Sequence, residues 1–410
     1  MSEPIRKPNH APESYDPKTP EIVGMVEQAR GDTALSSDTI ADPFAGGEPP
    51  RTSNRITEYR RIQNWENYFL ASALCSVAKL VGFDEDALTM FAKDNGNKGM
   101  HFFSAITGDM FTPMYDSADT ILREKGDYTD LMPTDSGYTA CFFTPQAVKR
   151  AYAAFGRDCI YLSAAYIKEN LRTVTNAVKA SIDKGIPVLS WGWGVVSLND
   201  WHGDMSEGCL VGGYEHDELY VQLYPGPERM AVDDDGYYSN ADGLLGSQGL
   251  FFVGEAIEKT PLTDVYREAI AAIPERLSLP PAGNITFGKA AFELWADNLL
   301  DEARYAGLTD DELGALSWGV HCKSYCNVCT SNADHFIRAA VPEVEIAARL
   351  LPLYERFFKC KDKIWKLSGG FYPPAKKFRQ RKFRAKIAAL LREMGAICGE
   401  ILAVFEEDAK

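Results

Sequence analysis

Apolar and polar positions along the chain define its elements before any chemistry is considered. Large apolar residues at 69, 70, 74, 77, 80 and 81 recur at the helical period, and Gly82 follows as a stop signal. The segment Tyr68–Gly82 is apolar nearly all round, which predicts a central buried helix rather than a surface one. A shorter helix is expected over 84–93. Residues 94–137 are rich in turn formers and predict short helices and loops carrying aromatics. Thr144-Pro145 opens a helix reaching Phe155, with Thr as cap and Pro in the first turn. Ile160-Tyr161-Leu162 reads as a strand and 168–184 as a helix closed by Gly185. A β block follows: Pro187–Trp191, Gly208–Gly213, the alternating run Leu219–Tyr224 after a His216-Asp217-Glu218 turn, and Leu250–Val253.

From Pro261 onward the period is helical, with helices expected over 262–273, 287–306, 310–333, 342–358 and 378–405. Helices precede the strands instead of alternating with them. The expected class is therefore α+β with an antiparallel sheet, followed by an all-α helical bundle. Eight of the 22 prolines fall before residue 51, among Gly, Ser, Asp and Glu. Such a stretch buries too little to offset its ordering entropy. The expected division is a loosely ordered tail over 1–55, an α+β domain over 56–258 and a helical domain over 259–410.

Composition narrows the class. Of 410 residues, 45% are hydrophobic and 25% charged, enough for a sizeable core and incompatible with wholesale disorder. No run approaches the ~18 apolar residues of a membrane span. The first residues have no apolar core, so no secretory signal and a cytoplasmic, membrane-free protein are expected. Nine cysteines without an export signal are then reduced thiols. The net charge of −15 argues against general affinity for polyanions. It hides an asymmetry: Arg356–Arg392 holds thirteen basic residues and only Asp362 as an acid, a local +12 that leaves −27 elsewhere.

The order of elements, with Asn64-Trp65-Glu66-Asn67 before the central helix, the Gly-Ile-Pro-Val-Leu strand and Gly212-Gly213-Tyr214-Glu215-His216-Asp217, resembles the papain-like bacteriocin-processing cysteine peptidases and their acyltransferase relatives. The resemblance covers about 56–255. It implies a papain-like fold with a Cys at the start of the central helix and a His at the start of the strand before Tyr214. Here the helix start has no Cys, and Glu207 stands near the His position. The helical tail is similar to one that follows such domains in bacterial proteins. The resemblance thus implies a degenerate binding or accessory protein for a peptide, a small molecule or another protein. Its site would be built from Glu66, Asn67, Trp191, Trp193, Trp201, Glu207 and Tyr214.

Two alternatives compete. A thiol hydrolase or acyltransferase would use Cys75 or Cys209 with His202 or His216, because the thiolate needs an imidazole or a helix N-terminus to form. A metalloprotein would use Cys322, Cys326 and Cys329 with His321 or His335, a donor set that suits zinc or a [4Fe–4S] cluster. The same three cysteines share one helical face and suit a buried stripe. No phosphate loop, dinucleotide fingerprint, GxSxG or HExxH is present, and no cofactor is expected outside that cysteine trio. The basic, aromatic-bearing segment 359–386 could bind nucleic acid, or lie against the acidic remainder of this chain or of a second copy in a homo-oligomer.

Overall fold

A computed structural model describes residues 37–45, 47–56, 69–84, 88, 98–117, 145–191, 209–222, 238–240, 244, 247, 249–281, 285–316, 332–369 and 375–408. In chain order the first elements are β1 (Ser53–Arg55), α1 (Phe69–Leu80), α2 (Lys98–Thr107), β2 (Met114–Asp116), α3 (Pro145–Ala154), β3 (Arg157–Ser163), α4 (Ala164–Glu169) and α5 (Leu171–Asp183). Next come β4 (Val188–Trp191), β5 (Cys209–Glu215), β6 (Glu218–Gln222), β7 (Tyr238–Asn240) and β8 (Gly249–Ala256). The last group is α6 (Leu262–Ala271), α7 (Ile273–Leu277), β9 (Ile285–Phe287), α8 (Gly288–Leu300), α9 (Asp310–Leu316), α10 (Ala333–Ala340), α11 (Glu345–Ser368), α12 (Ala375–Phe378) and α13 (Arg381–Asp408).

The class is α+β with an antiparallel sheet and C-terminal helices. The chain forms two compact units, and their division is not sequential. The first unit takes the described residues up to 84 and from 145 to 260. The second takes 88–117 together with everything from 261. The sequence reading runs the α+β unit through 56–258, but the structure places α2 and β2 with the C-terminal helices. The reason is packing: Phe102, Phe103, Phe111 and Tyr115 are buried aromatics, and Phe111 meets Phe336 and Tyr354 edge-on.

In the first unit the strand order is β3-β8-β4-β5-β6-β7, with β1 added along β5, and every pairing is antiparallel. Side chains alternate between the faces. Val188, Val211, Tyr214, Leu219, Val221, Leu250 and Phe252 share a core with Val174, Val178 and Ile182 of α5. Leu189, Leu210 and Phe251 alternate with these, and α1 packs against β4, β5 and α3. Helix α1 is buried at Leu70, Ala71, Ala73, Leu74, Cys75, Val77 and Ala78, as its all-round apolar sequence requires. Gly82 then turns the chain at φ 90°. The helix expected over 168–184 is broken at Asn170 into α4 and α5, with Ser163 capping α4 through the Tyr166 amide.

Of the stretch expected as a loose tail over 1–55, residues 1–36 lie outside the described residues, and 37–45 and 47–55 are ordered. Residues 37–56 hold to the first unit by named bonds: β1 pairs with β5, Asn54 donates to Asp183 at 2.8 Å, and Asp38 pairs with Lys149 at 2.6 Å. These polar contacts are joined by Ile56, buried in the core, and Ile40, packed against it.

In the second unit, α13 packs against α8 and α11. Arg349 bonds Glu407 and Arg356 bonds Glu400, both at 2.6 Å, so seven residues forward on α11 match seven back on α13 and fix the antiparallel register. Two short strands were not expected here. β2 and β9 pair antiparallel, and Tyr115 stacks on Trp295 at 5.5 Å. The expected helix at 287 begins instead at Gly288, whose φ of 57° turns the chain from strand into α8. Among the described residues no helix is long and apolar enough to cross a membrane.

Candidate functional site

The site expected from the sequence surrounds the start of α1. Glu66, Asn67, Trp193, Trp201, His202 and Glu207 lie outside the described residues, as do His321, Cys322, Cys326 and Cys329. Trp191 and Cys209 are described only as strand backbone, opposite Gly249 and Ser190 respectively. Helix α1 itself is placed against the two central strands β4 and β5.

Cys75 sits six residues into α1, about 9 Å along its axis at 1.5 Å per residue. It is 2% exposed among Leu74, Val77 and Ala78. A thiol in such surroundings behaves as a small apolar group. Burial also sets the other described thiols. It pushes Cys159 far up, Cys398 to about 12 and Cys360 to about 11, the last with Glu393 adding to the shift. None of these three is poised as a thiolate.

Tyr214 is 2% exposed. Its hydroxyl donates to Asp183 at 3.0 Å, and the same carboxylate accepts from Asn54. Burial, then the Asp183 bond, raises the Tyr214 hydroxyl to about 12. The Lys179 amine lies 5.7 Å from the ring centre and reaches Asp217 at 3.0 Å. His216 is exposed in the turn between β5 and β6, at φ 52°. Ser190 and Ser247 are both buried and share a bond at 2.9 Å beside the Gly249 carbonyl, a polar pair at the Trp191 end of β4.

The second unit holds a buried polar cluster that the sequence reading missed. His101 of α2 has no exposure, and its Nε2 lies 3.3 Å from the Asn332 amide nitrogen. The Asn332 carbonyl accepts from the Lys361 amine at 2.9 Å. Asn332 therefore spends its oxygen on lysine and its nitrogen on histidine. That assignment makes His101 Nε2 the acceptor and puts the ring proton on Nδ1, the neutral form. Asp334 follows at the start of α10, 3.6 Å from His335. Burial raises the Asp334 carboxyl against the opposing charges of His335, Lys361 and Arg338. The cluster joins a cation, a neutral imidazole and a carboxyl whose pKa is raised by burial, a set suited to a polar ligand. A signal for Lys361 was present in the sequence: it stands between Phe357 and Ile364 at the core-facing period of α11. Among the described residues no group of three or more His, Cys, Asp and Glu is arranged to hold a metal ion.

Part of the basic run is paired within the second unit. Arg379 pairs with Asp310, Arg384 with Glu302, Arg392 with Asp297 and Lys366 with Asp362, each within 2.9 Å. No protein-family model matches the chain, and no curated protein matches it.

Proposed function

We propose that the first unit is a papain-like domain without its catalytic cysteine and histidine, serving as a binding or accessory module for a peptide or small molecule. The observation that carries this is α1. It is an apolar helix laid on β4 and β5, with Cys75 sunk in the core instead of standing at the helix start. The antiparallel sheet is consistent with the same fold. The ligand would sit at the start of α1, Glu66 and Asn67, facing the Trp191, Trp193, Trp201 and Glu207 side of the β block; Tyr214, expected in this set, is instead buried against α5 and bonded to Asp183. Concave sites at helix starts of this kind recognise polar groups through unpaired amides, and aromatic walls add stacking area.

The test is site-resolved alkylation of the native protein with limiting iodoacetamide near pH 6.5. Uniformly slow labelling of all nine cysteines is the expected result. Preferential labelling of Cys75 or Cys209 would replace this reading with a thiol hydrolase or acyltransferase. With labelling uniformly slow, Glu207→Ala should weaken binding of any peptide captured in a library screen without lowering the melting temperature.

A further inference from the structure

Among the described residues β8 is the one strand paired with β3, which leaves the other side of β3 as a sheet edge. Alternate amides of β3 point to that edge, and each donates to a side-chain oxygen. Cys159 donates to Asp158 at 2.8 Å, Tyr161 to Asp38 at 2.9 Å and Ser163 to Ser37 at 3.0 Å. The Tyr161 carbonyl accepts from the Asp38 amide at 2.8 Å. Asp38 and Tyr161 thus exchange two bonds, as a hydrogen-bonded antiparallel pair would, with the Asp38 carboxylate where a strand would offer its carbonyl. The same carboxylate oxygen is anchored by Lys149 at 2.6 Å. Further along, Ile40 bonds the Tyr166 hydroxyl through its amide at 3.1 Å.

Ser37 and Asp38 are held to β3 by polar bonds, whereas Ile40 beyond them packs against the core and Asp42 accepts from Asn176. None of the described residues in 37–45 is buried, whereas Cys159, Tyr161 and Leu162 of β3 are. Segments with few buried apolar contacts open locally at low free energy. An uncapped edge strand is a template for another strand.

We propose that Ser37–Asp38 is a displaceable cap and that the β3 edge is a docking site for an extended peptide carrying an acidic residue opposite Tyr161. Backbone bonds to Cys159, Tyr161 and Ser163 supply affinity, and Lys149, released from Asp38, selects the acidic side chain. This surface is separate from the ligand site proposed at the start of α1, and either reading can fail without the other.

The experiment uses the full chain and a fluorescein-labelled synthetic peptide of residues 33–45. Wild type presents the cap in cis at high effective concentration and should bind the peptide weakly. Asp38→Ala should bind it at least tenfold more tightly. The peptide carrying Asn at the Asp38 position should lose most of that gain. Hydrogen exchange at the Tyr161 and Ser163 amides should accelerate in Asp38→Ala and slow again with peptide. Lys149→Met removes the anchor without touching the edge. It should speed the same exchange, and it separates loss of the cap from a folding defect. Faster exchange without peptide binding would overturn the docking edge. Unchanged exchange in both variants would overturn the cap. Concentration-dependent dimers of Asp38→Ala in place of peptide binding would make a second copy the occupant and overturn the peptide.

Discussion

Arg384 and Glu302 meet at 2.6 Å, with the guanidinium wholly buried and the carboxylate more than half exposed. The same guanidinium donates to the Leu299 carbonyl at 2.7 Å and to the Phe378 carbonyl, and it lies 3.9 Å over the Tyr305 ring. One side chain thereby satisfies the end of α8 and the end of α12, two helix ends whose carbonyls would otherwise lack donors. The three acceptors are met by three separate nitrogens of the planar fork, a spread that a single lysine nitrogen does not span.

Arg384→Ala strands two buried carbonyls, while the Glu302 carboxylate it leaves is exposed to water. A loss of about 2–5 kcal/mol is expected, at about 1–3 kcal/mol for each unsatisfied buried acceptor. Arg384→Lys keeps the charge but loses the fork and should cost about half as much. Urea unfolding followed by circular dichroism checks both. A change below about 1 kcal/mol in Arg384→Ala would contradict the assigned role.

The Asp334 carboxyl gives a pH-dependent prediction. Its folded pKa is raised, chiefly by burial, so ionisation costs the folded state free energy. That cost is absent below the unfolded value near 3.8 and is complete once the pH exceeds the folded pKa. Asp334→Asn abolishes it. The variant should melt above wild type at pH 7, and the gap should close as the pH falls toward 4. A gap that is constant with pH would assign the effect to packing. Lys361→Met should be destabilising, because it removes the donor to Asn332 and leaves that half-buried amide oxygen short of a partner.

Gly288 marks the turn from β9 into α8. A Cβ there would stand 1.9 Å from the Leu277 carbonyl oxygen, and the backbone adopts φ 57°. Contact with main chain cannot be relieved by a side-chain rotation. Gly288→Ala should cost about 3 kcal/mol or more, from strain at a left-handed position together with the overlap. Gly307→Ala is the control. It shares the positive φ, 73°, but nothing lies within 4 Å, so about 1 kcal/mol is expected.

These residues also show where the fold was legible in the sequence. The period-3.6 run at 69–81 and the alternation at 219–222 were read directly, because burial imposes its own period on the chain. The C-terminal helices were legible for the same reason, and Gly369 closes α11 at φ 84°. Strands of three residues such as β1, β2 and β9 were not. Three residues carry no period, and each forms only because a distant partner is in place. The return of α2 and β2 to the second unit depends on long-range aromatic contacts that no local pattern announces. Lys361 and Arg384 were hidden by a different effect. Within a run of thirteen basic residues, a buried cation looks like its solvated neighbours until its place on the apolar face is counted.

The link between Asp38 and Lys149 makes the last prediction. Burial alone would raise the Asp38 carboxyl. Bonds from the Lys149 amine and the Tyr161 amide more than reverse this, and the net shift is downward. A depressed carboxylate contributes stability that is present above its unfolded value near 3.8 and is lost as the pH falls through the lower folded value. The cap on β3 should therefore be intact at neutral pH and release only in acid. Hydrogen exchange at Tyr161 and Ser163, measured from pH 7 to pH 3 and corrected for intrinsic rates, should show loss of protection confined to the region below about pH 4. Asp38→Asn removes the titrating group, and its protection should be weak and flat with pH. Because both partners are partly exposed, the pair is screened, so about 0.5 M salt should shift the wild-type profile toward that of the variant. Protection lost in wild type already at pH 6, where Asp38 is still ionised, would assign the release to a different group.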